Sequence, residues 1–191
     1  DWSTFPFSIR AINGLSLFLP PEAIAYYHNH IAHAHQTADL DTHLRVTLFA
    51  VPIFVGFGAQ NADRSALSFR KTRRYIELNK GFCRPVMAGH PLVYHHTPDI
   101  GVFSPADWCV LEYAMQDRSR GYAGIFKLAS GRDSEYHFCP RGIDAARTYN
   151  VTLDNLNQTF RVSGYELMTN GVKVRLDSAL TSELVMYSIA E

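Results

Sequence analysis

Histidines 28, 30, 33 and 35 fall within eight residues, in the run HNHIAHAH. On an extended chain a His-x-His pair puts both imidazoles on one face, a usable geometry for a metal. No HExxH or paired-cysteine pattern completes such a site, and spacing does not fix the carboxylates that could join it. The plainer reading is of hydrogen-bonded histidines shaping a loop beside a ligand. Carboxyl groups offer a second chemistry, acid/base catalysis. Asp1, Glu22, Asp39, Asp41, Asp99 and Asp107 qualify by type, and spacing selects none of them. Trp2, Phe5, Phe7, Tyr26, Tyr27 and Trp108 could stack on a ring-shaped ligand. Packing into a core or a domain contact is the commoner fate of such residues.

The elements that must carry these residues read differently in the two halves of the chain. Up to about Gly89 the pattern is mainly helical with short extended pieces. Residues 8–13 suit a short helix, and 15–19 form an apolar, strand-like run stopped by Pro20-Pro21. Asp41 or Thr42 can cap a helix through Arg45, Leu48 and Phe49, which Pro52 kinks or ends. The apolar stretch 46–59 is shorter than the roughly 20 residues of a bilayer span and reads as a buried helix. A further helix is expected over 63–80, with Gly81 placed to end it.

From Asp107 onward the period changes to two. Tyr149, Val151 and Leu153 alternate with polar residues, as do Val172, Val174 and Leu176. Strands are expected at 108–115, 123–129, 135–139, around 149–153, 160–163, 172–176 and 184–189. Asn170-Gly171 lies between YELM and VKVRL and predicts a type I′ hairpin. The expectation is an antiparallel sheet or sandwich of roughly seven strands.

Composition narrows the function classes. The chain has 191 residues, 47% hydrophobic and 13% aromatic, enough for a packed core. Lys+Arg and Asp+Glu both total 18, so there is no basic footprint for nucleic acid. No membrane association is expected either. The three cysteines, Cys83, Cys109 and Cys139, are odd in number and far apart. They read as reduced thiols rather than a disulfide framework, which slightly favours a cytoplasmic setting. No signal peptide is visible, and the chain opens on Asp1 without a methionine, which leaves room for chain upstream. Asn150 and Asn157 head formal N-glycosylation sequons.

The stretch LPPEAIAYYHNHIAHAHQTADLDTHLR, residues 19–45, resembles the late barrel region of glycoside hydrolase family 36, the α-galactosidases. LPPEA and HQT are direct matches. YIELNKGF is similar to that family's last barrel helix, and YNVTLDNLNQTFRVSGYELMTNGVKVRL to its C-terminal β domain. The resemblance implies α/β plus all-β architecture: the last β/α units of a (β/α)8 barrel over 1–106, then an antiparallel β-sandwich domain over 107–191. It places the family's general acid/base aspartate on Asp1 and an arginine of its motif at or near Arg10. It makes Trp2, His28 and His35 substrate-binding, with no cofactor and no metal. Ala38-Asp39 replaces the family's Gly-Arg after HQT, which removes any subsite role for that arginine.

A complete barrel takes about 250 residues, more than the 191 present. The nucleophile aspartate has no counterpart here, so the chain alone is not expected to catalyse. The expected partners are an oligosaccharide or glycan and the upstream part of the same protein or a partner subunit, with a homo-oligomer left open. The substrate class includes terminal α-linked galactose and N-acetylgalactosamine, and the family also holds raffinose-type transferases. Two other classes compete: a carbohydrate-binding module without catalysis and a histidine-rich metal-binding protein.

Overall fold

The computed structural model describes residues 4–29, 38–55, 66–98, 106–131 and 133–190, without the side chain of Asn29. Helix α1 (Phe7–Leu15) leads through a short 3-10 turn (Pro21–Ala23) into strand β1 (Ala25–Asn29). Helix α2 (Leu40–Val46) and a second 3-10 turn (Thr47–Phe49) precede β2 (Val51–Val55), which pairs with β1 in parallel, Ala25 opposite Val51 and Asn29 opposite Val55. Parallel neighbours need a crossover connection, and α2 lies in it.

Helix α3 (Leu67–Leu78), a π turn (Asn79–Cys83) and α4 (Arg84–Ala88) lead to β3 (Leu92–His95). Next come β4 (Trp108–Ala114), β5 (Arg120–Lys127), β6 (Glu135–Phe138), β7 (Thr148–Leu153) and β8 (Gln158–Ser163). Helix α5 (Gly164–Asn170), β9 (Val172–Arg175) and β10 (Thr181–Ile189) follow. Six strands form an antiparallel sheet in the order β3-β4-β5-β10-β7-β8, and β6 pairs with β9 as a separate antiparallel ribbon. No helix among the described residues is long and apolar enough to cross a membrane.

The centre of the large sheet is covered on both faces, so its strands read as continuous apolar runs. Cys109, Leu111, Tyr113, Tyr122, Phe126, Leu184 and Met186 point into a core shared with α1, α2 and the turn at Phe49. Their neighbours Val110, Ala123, Ile125, Val151 and Val185 meet Phe138, Leu167, Val172 and Val174 from the β6–β9 ribbon and α5. This is the expected antiparallel, sandwich-like arrangement, with seven strands after residue 107. β3, from ahead of that residue, joins the sheet beside β4.

Several local expectations are corrected. YELMTN is helical, not the arm of a hairpin. Ser163 accepts a hydrogen bond from the Glu166 N–H (3.2 Å), Leu167 is buried, and Gly171 at φ 60° ends the helix. Of the stretch 46–55, Val46 ends α2 and the rest is a 3-10 turn and a strand, because Pro52 cannot continue a helix and the β-branched residues around it suit pairing with β1. Residues 56–59 of that call lie outside the described residues. Residues 16–19 form turns closing α1 rather than a strand; the Phe18 N–H reaches the Leu15 carbonyl at 3.0 Å. Asp39, not Asp41 or Thr42, caps α2, its Oδ1 accepting from the Thr42 N–H at 2.6 Å.

The helix expected to stop at Gly81 widens instead and runs on to Ala88. Pro85 has no N–H, and its ring crowds the carbonyl four residues back. The π turn accommodates this. Arg120 on β5 takes the freed Gly81 carbonyl (3.5 Å), with its guanidinium over the Phe82 ring at 4.9 Å.

Candidate active site

Parallel strands present their C-terminal ends together, and in barrels of such strands ligands bind at that end. Here that end is formed by Asn29 and Val55, which are in register. The segments leaving it are 30–37, which carries the other three histidines of the HNHIAHAH run, and 56–65. Both lie outside the described residues, as do Asp1, Trp2 and His35. Of the four residues assigned to chemistry, His28 alone is described.

His28 lies on β1 opposite Phe54 of β2, the two rings edge to face with centroids 5.8 Å apart. It is fully buried, so in this conformation it is closed to a ligand. Tyr26 lies two residues back on the same side of the strand. Burial pushes its hydroxyl up to about 12, against a hydrogen bond with Ser8 of α1 that lowers it. The opposite side of the pair, with Tyr27, Val51 and Val55, is exposed.

The carboxylates nominated by type are dispersed. Glu22 meets the His90 ring at 3.1 Å, Asp39 caps α2, and Asp41 pairs with Lys71. Asp107 accepts the Leu128 N–H on its backbone carbonyl (2.7 Å), and Asp99 lies outside the described residues. Arg10 is buried on α1, its Nη2 reaching the Ala106 carbonyl at 3.5 Å. Among the described residues no group of three or more His, Cys, Asp or Glu could hold a metal. Of the nominated aromatics, Phe5 and Tyr26 are in the core, and Trp108 packs against Tyr136 with centroids 5.5 Å apart.

Two polar centres escaped the sequence reading. One joins α2 and α3 to the sheet. Arg45, buried in the last turn of α2, donates to Asp154 Oδ2 (2.6 Å), Asn155 Oδ1 (2.6 Å) and the Ser182 carbonyl (2.6 Å). Arg74 and the Tyr75 hydroxyl (3.1 Å), both from α3, also donate to Asp154. Burial alone would raise the Asp154 carboxyl. The hydrogen bond from Arg74 and the charge and hydrogen bond of Arg45 outweigh it, and the net is below the usual carboxylate range. Glu183 beside it moves the other way, raised by burial despite Arg45.

The second centre is Glu112, fully buried mid-strand in β4. It accepts the Tyr187 hydroxyl (2.6 Å) and the N–H groups of Gly142 (2.8 Å) and Arg141 (3.0 Å), and it meets His96 Nε2 at 2.7 Å. A lone carboxylate in the apolar run WCVLEYA was the signal for it. The Asp154 centre gave less warning, since Asp-Asn after an alternating strand reads as an ordinary turn.

A cavity of about 390 Å³ lies against β2 between α3 and α4, lined by Val51, Pro52, Phe54, Ile76, Lys80 and Arg84. It is not at the shared strand ends and contains none of the assigned residues.

Residues 108–186 match the model of the glycosyl hydrolase family 36 C-terminal domain. No curated protein sequence matches the chain. Among solved structures, the galactosidase domain of the α-galactosidase-sucrose kinase AgaSK aligns with a TM-score of 0.73 at 14% identity, over 96% of this chain and 24% of that one. The α-galactosidase from Lactobacillus brevis gives 0.71 at 14% identity, over 93% and 24%. The family 36 α-galactosidase AgaA from Geobacillus stearothermophilus gives 0.69 at 18% identity, over 96% and 24%. At such identities the likeness is one of fold, and the chain spans about a quarter of the length of these structures. Residues 108–186 are thus similar to the C-terminal domain of glycoside hydrolase family 36, and nearly the whole chain is similar in fold to a corresponding part of α-galactosidases.

Proposed function

We propose that the chain is part of a retaining glycoside hydrolase that removes terminal α-linked galactose, or N-acetylgalactosamine, from oligosaccharides or glycoconjugates. In this reading residues 1–106 are the last β/α units of a (β/α)8 barrel and residues 107–191 the β domain. The observation that carries it is the parallel β1–β2 pair, joined through α2 and packed against a family 36 C-terminal domain. The three solved structures named above, each similar to nearly the whole chain, are α-galactosidases or a galactosidase domain.

Retaining hydrolysis uses two carboxyl groups on either side of the scissile bond. Asp1 takes the acid/base part. Its carboxyl protonates the departing glycosidic oxygen, then removes a proton from the water that releases the sugar from the nucleophile. The nucleophile comes from the rest of the barrel. Trp2 and His35 hold the sugar. His28, buried against Phe54, serves through the end of β1 that it anchors. No cofactor is required by this chemistry.

The test is Asp1→Asn in the enzyme formed with the rest of the barrel. Turnover of α-galactosides with a sugar leaving group is expected to be abolished. Substrates with an activated leaving group, which needs little protonation, should keep more of their glycosylation rate. Azide, an external nucleophile that needs no base, should partly restore deglycosylation. Wild-type activity of this variant on melibiose would eliminate the assignment.

A further inference from the structure

We infer that the β domain carries a non-catalytic saccharide site, in a polar cleft between the π turn and one end of the large sheet. The inference does not depend on the role given to Asp1.

The cleft has a volume of about 600 Å³ and is lined by Ser119, Arg120, Asn150, Ser188 and Ile189, all half-buried. Strand register sets three of them in a row. Arg120 of β5 lies opposite Ser188 of β10, and Ser188 lies opposite Asn150 of β7. Side chains alternate along a strand, so this row is on the face of Tyr122 and Met186, which enter the core under the helices. One pair further on, guanidinium, hydroxyl and amide groups replace that core. Asparagine is depleted in strands, yet Asn150 sits between Tyr149 and Val151 in the middle of β7. Among the described residues its amide and the Ser188 hydroxyl make no hydrogen bond within the protein. Arg120 is already placed, its guanidinium over the Phe82 ring at 4.9 Å and 3.5 Å from the Gly81 carbonyl. A guanidinium stacked in this way keeps most of its five donors available.

This inventory selects the ligand. Hydroxyls and an amide both donate and accept, and Arg120 donates. Neighbouring hydroxyls of a sugar ring offer both functions in return. An anion only accepts, and here it would meet the charge of Asp117, whose Oδ1 holds the Ser119 N–H at 2.9 Å. The cleft is also remote from the strand ends. Asn79 and Lys80 of the π turn line the same cavity as Val51, the first residue of β2, whereas Val55 is its last. A saccharide held beside the π turn does not react; it anchors an oligosaccharide or glycoconjugate to the enzyme.

The experiment is ligand-observed saturation-transfer NMR on the whole enzyme, made in bacteria so that the Asn150 sequon stays unmodified. The probes are the methyl β-glycosides of galactose, glucose, mannose and N-acetylgalactosamine, which have no α-linkage to cleave. At least one should bind in the cleft with a Kd of about 1 mM, as expected of a small polar ligand in an open site. Asn150→Val and Ser188→Ala should each weaken that binding about three- to tenfold. Lys173→Ala, exposed on β9, should leave it unchanged. The difference between wild type and variant counts this site alone, whatever the catalytic pocket holds. Valine suits a strand better than asparagine, so Asn150→Val should melt no lower than the wild type, which separates lost binding from lost folding. If it does melt lower, Ser188→Ala, which removes one hydroxyl, decides the comparison. Equal binding of all four sugars by wild type and variants would overturn the inference. Displacement of the bound sugar by inorganic phosphate would overturn it too, in favour of an anion site.

Discussion

Asp154 ties helices α2 and α3 to the β half of the chain. It receives Arg45 from α2 and both Arg74 and Tyr75 from α3. Removing one partner of a buried ion pair leaves an uncompensated charge, at a cost of about 3–5 kcal/mol. Asp154→Asn is expected to destabilise by about that much at pH 7 in chemical denaturation, because Arg45 loses its anion. The sign of the pH dependence follows from the direction of the shift. A carboxyl whose folded pKa is depressed contributes stability above its unfolded pKa of about 3.9, and loses it as pH falls through the lower folded value. Glu183, shifted upward, has the opposite slope, its contribution falling as pH rises past the unfolded value. The wild-type chain should therefore weaken in acid below about pH 4, and Asp154→Asn should flatten that limb. An acid limb equally steep in the variant would show that other groups set it.

Among elements, α5 separates two local codes that share the dipeptide Asn170-Gly171. A type I′ hairpin needs positive φ at both positions, whereas a helix stop needs it only at the residue after the last turn. Gly171 has φ 60° and Asn170 is the last residue of the helix. A methyl group at Gly171 would also come within 2.7 Å of the Phe138 carbonyl and 2.8 Å of Cys139 Sγ. Gly171→Ala is expected to cost about 1–3 kcal/mol by thermal or urea unfolding. Asn170→Ala should stay within about 0.5 kcal/mol. Comparable losses from both would restore the hairpin reading.

At the scale of the whole molecule, the β1–β2 pair is the exposed flank. Two parallel strands alone are too few for independent stability, and each keeps an outer edge with no strand beside it among the described residues. Tyr27, Val51 and Val55 leave one side of this pair apolar and exposed, with fractional exposures of 57%, 39% and 44%. Open edges beside an apolar face invite further strands. The chain produced alone is expected to self-associate in sedimentation velocity. It should become dispersed when joined to the rest of the proposed barrel. A monomer that unfolds in one cooperative transition would overturn the reading of residues 1–106 as part of a barrel.

Period-two alternation determined β7 and β9 without help from tertiary structure. A strand with one face in a core must alternate, so Tyr149-Val151-Leu153 and Val172-Val174 could be read directly. The likeness to the family 36 C-terminal domain was legible in ELMTNG, which lies within the matched residues 108–186, since short motifs carry their residue types with them. Only the tertiary structure decided the rest. Whether Asn170-Gly171 ends a helix or turns a hairpin depended on the burial of Leu167 against the sheet, set at a distance, together with the local cap of Glu166 N–H on Ser163. Whether 46–55 became helix or strand depended on β1 being there to pair with it. The carboxylates behaved the same way. Asp154, Glu112 and the nominated set share a chemistry, and only the folded chain brings two arginines to Asp154, four partners to Glu112, a cap to Asp39, and the pairings with His90 and Lys71 to Glu22 and Asp41. Buried polar centres draw their partners from far along the chain, and such pairings leave no local period to read.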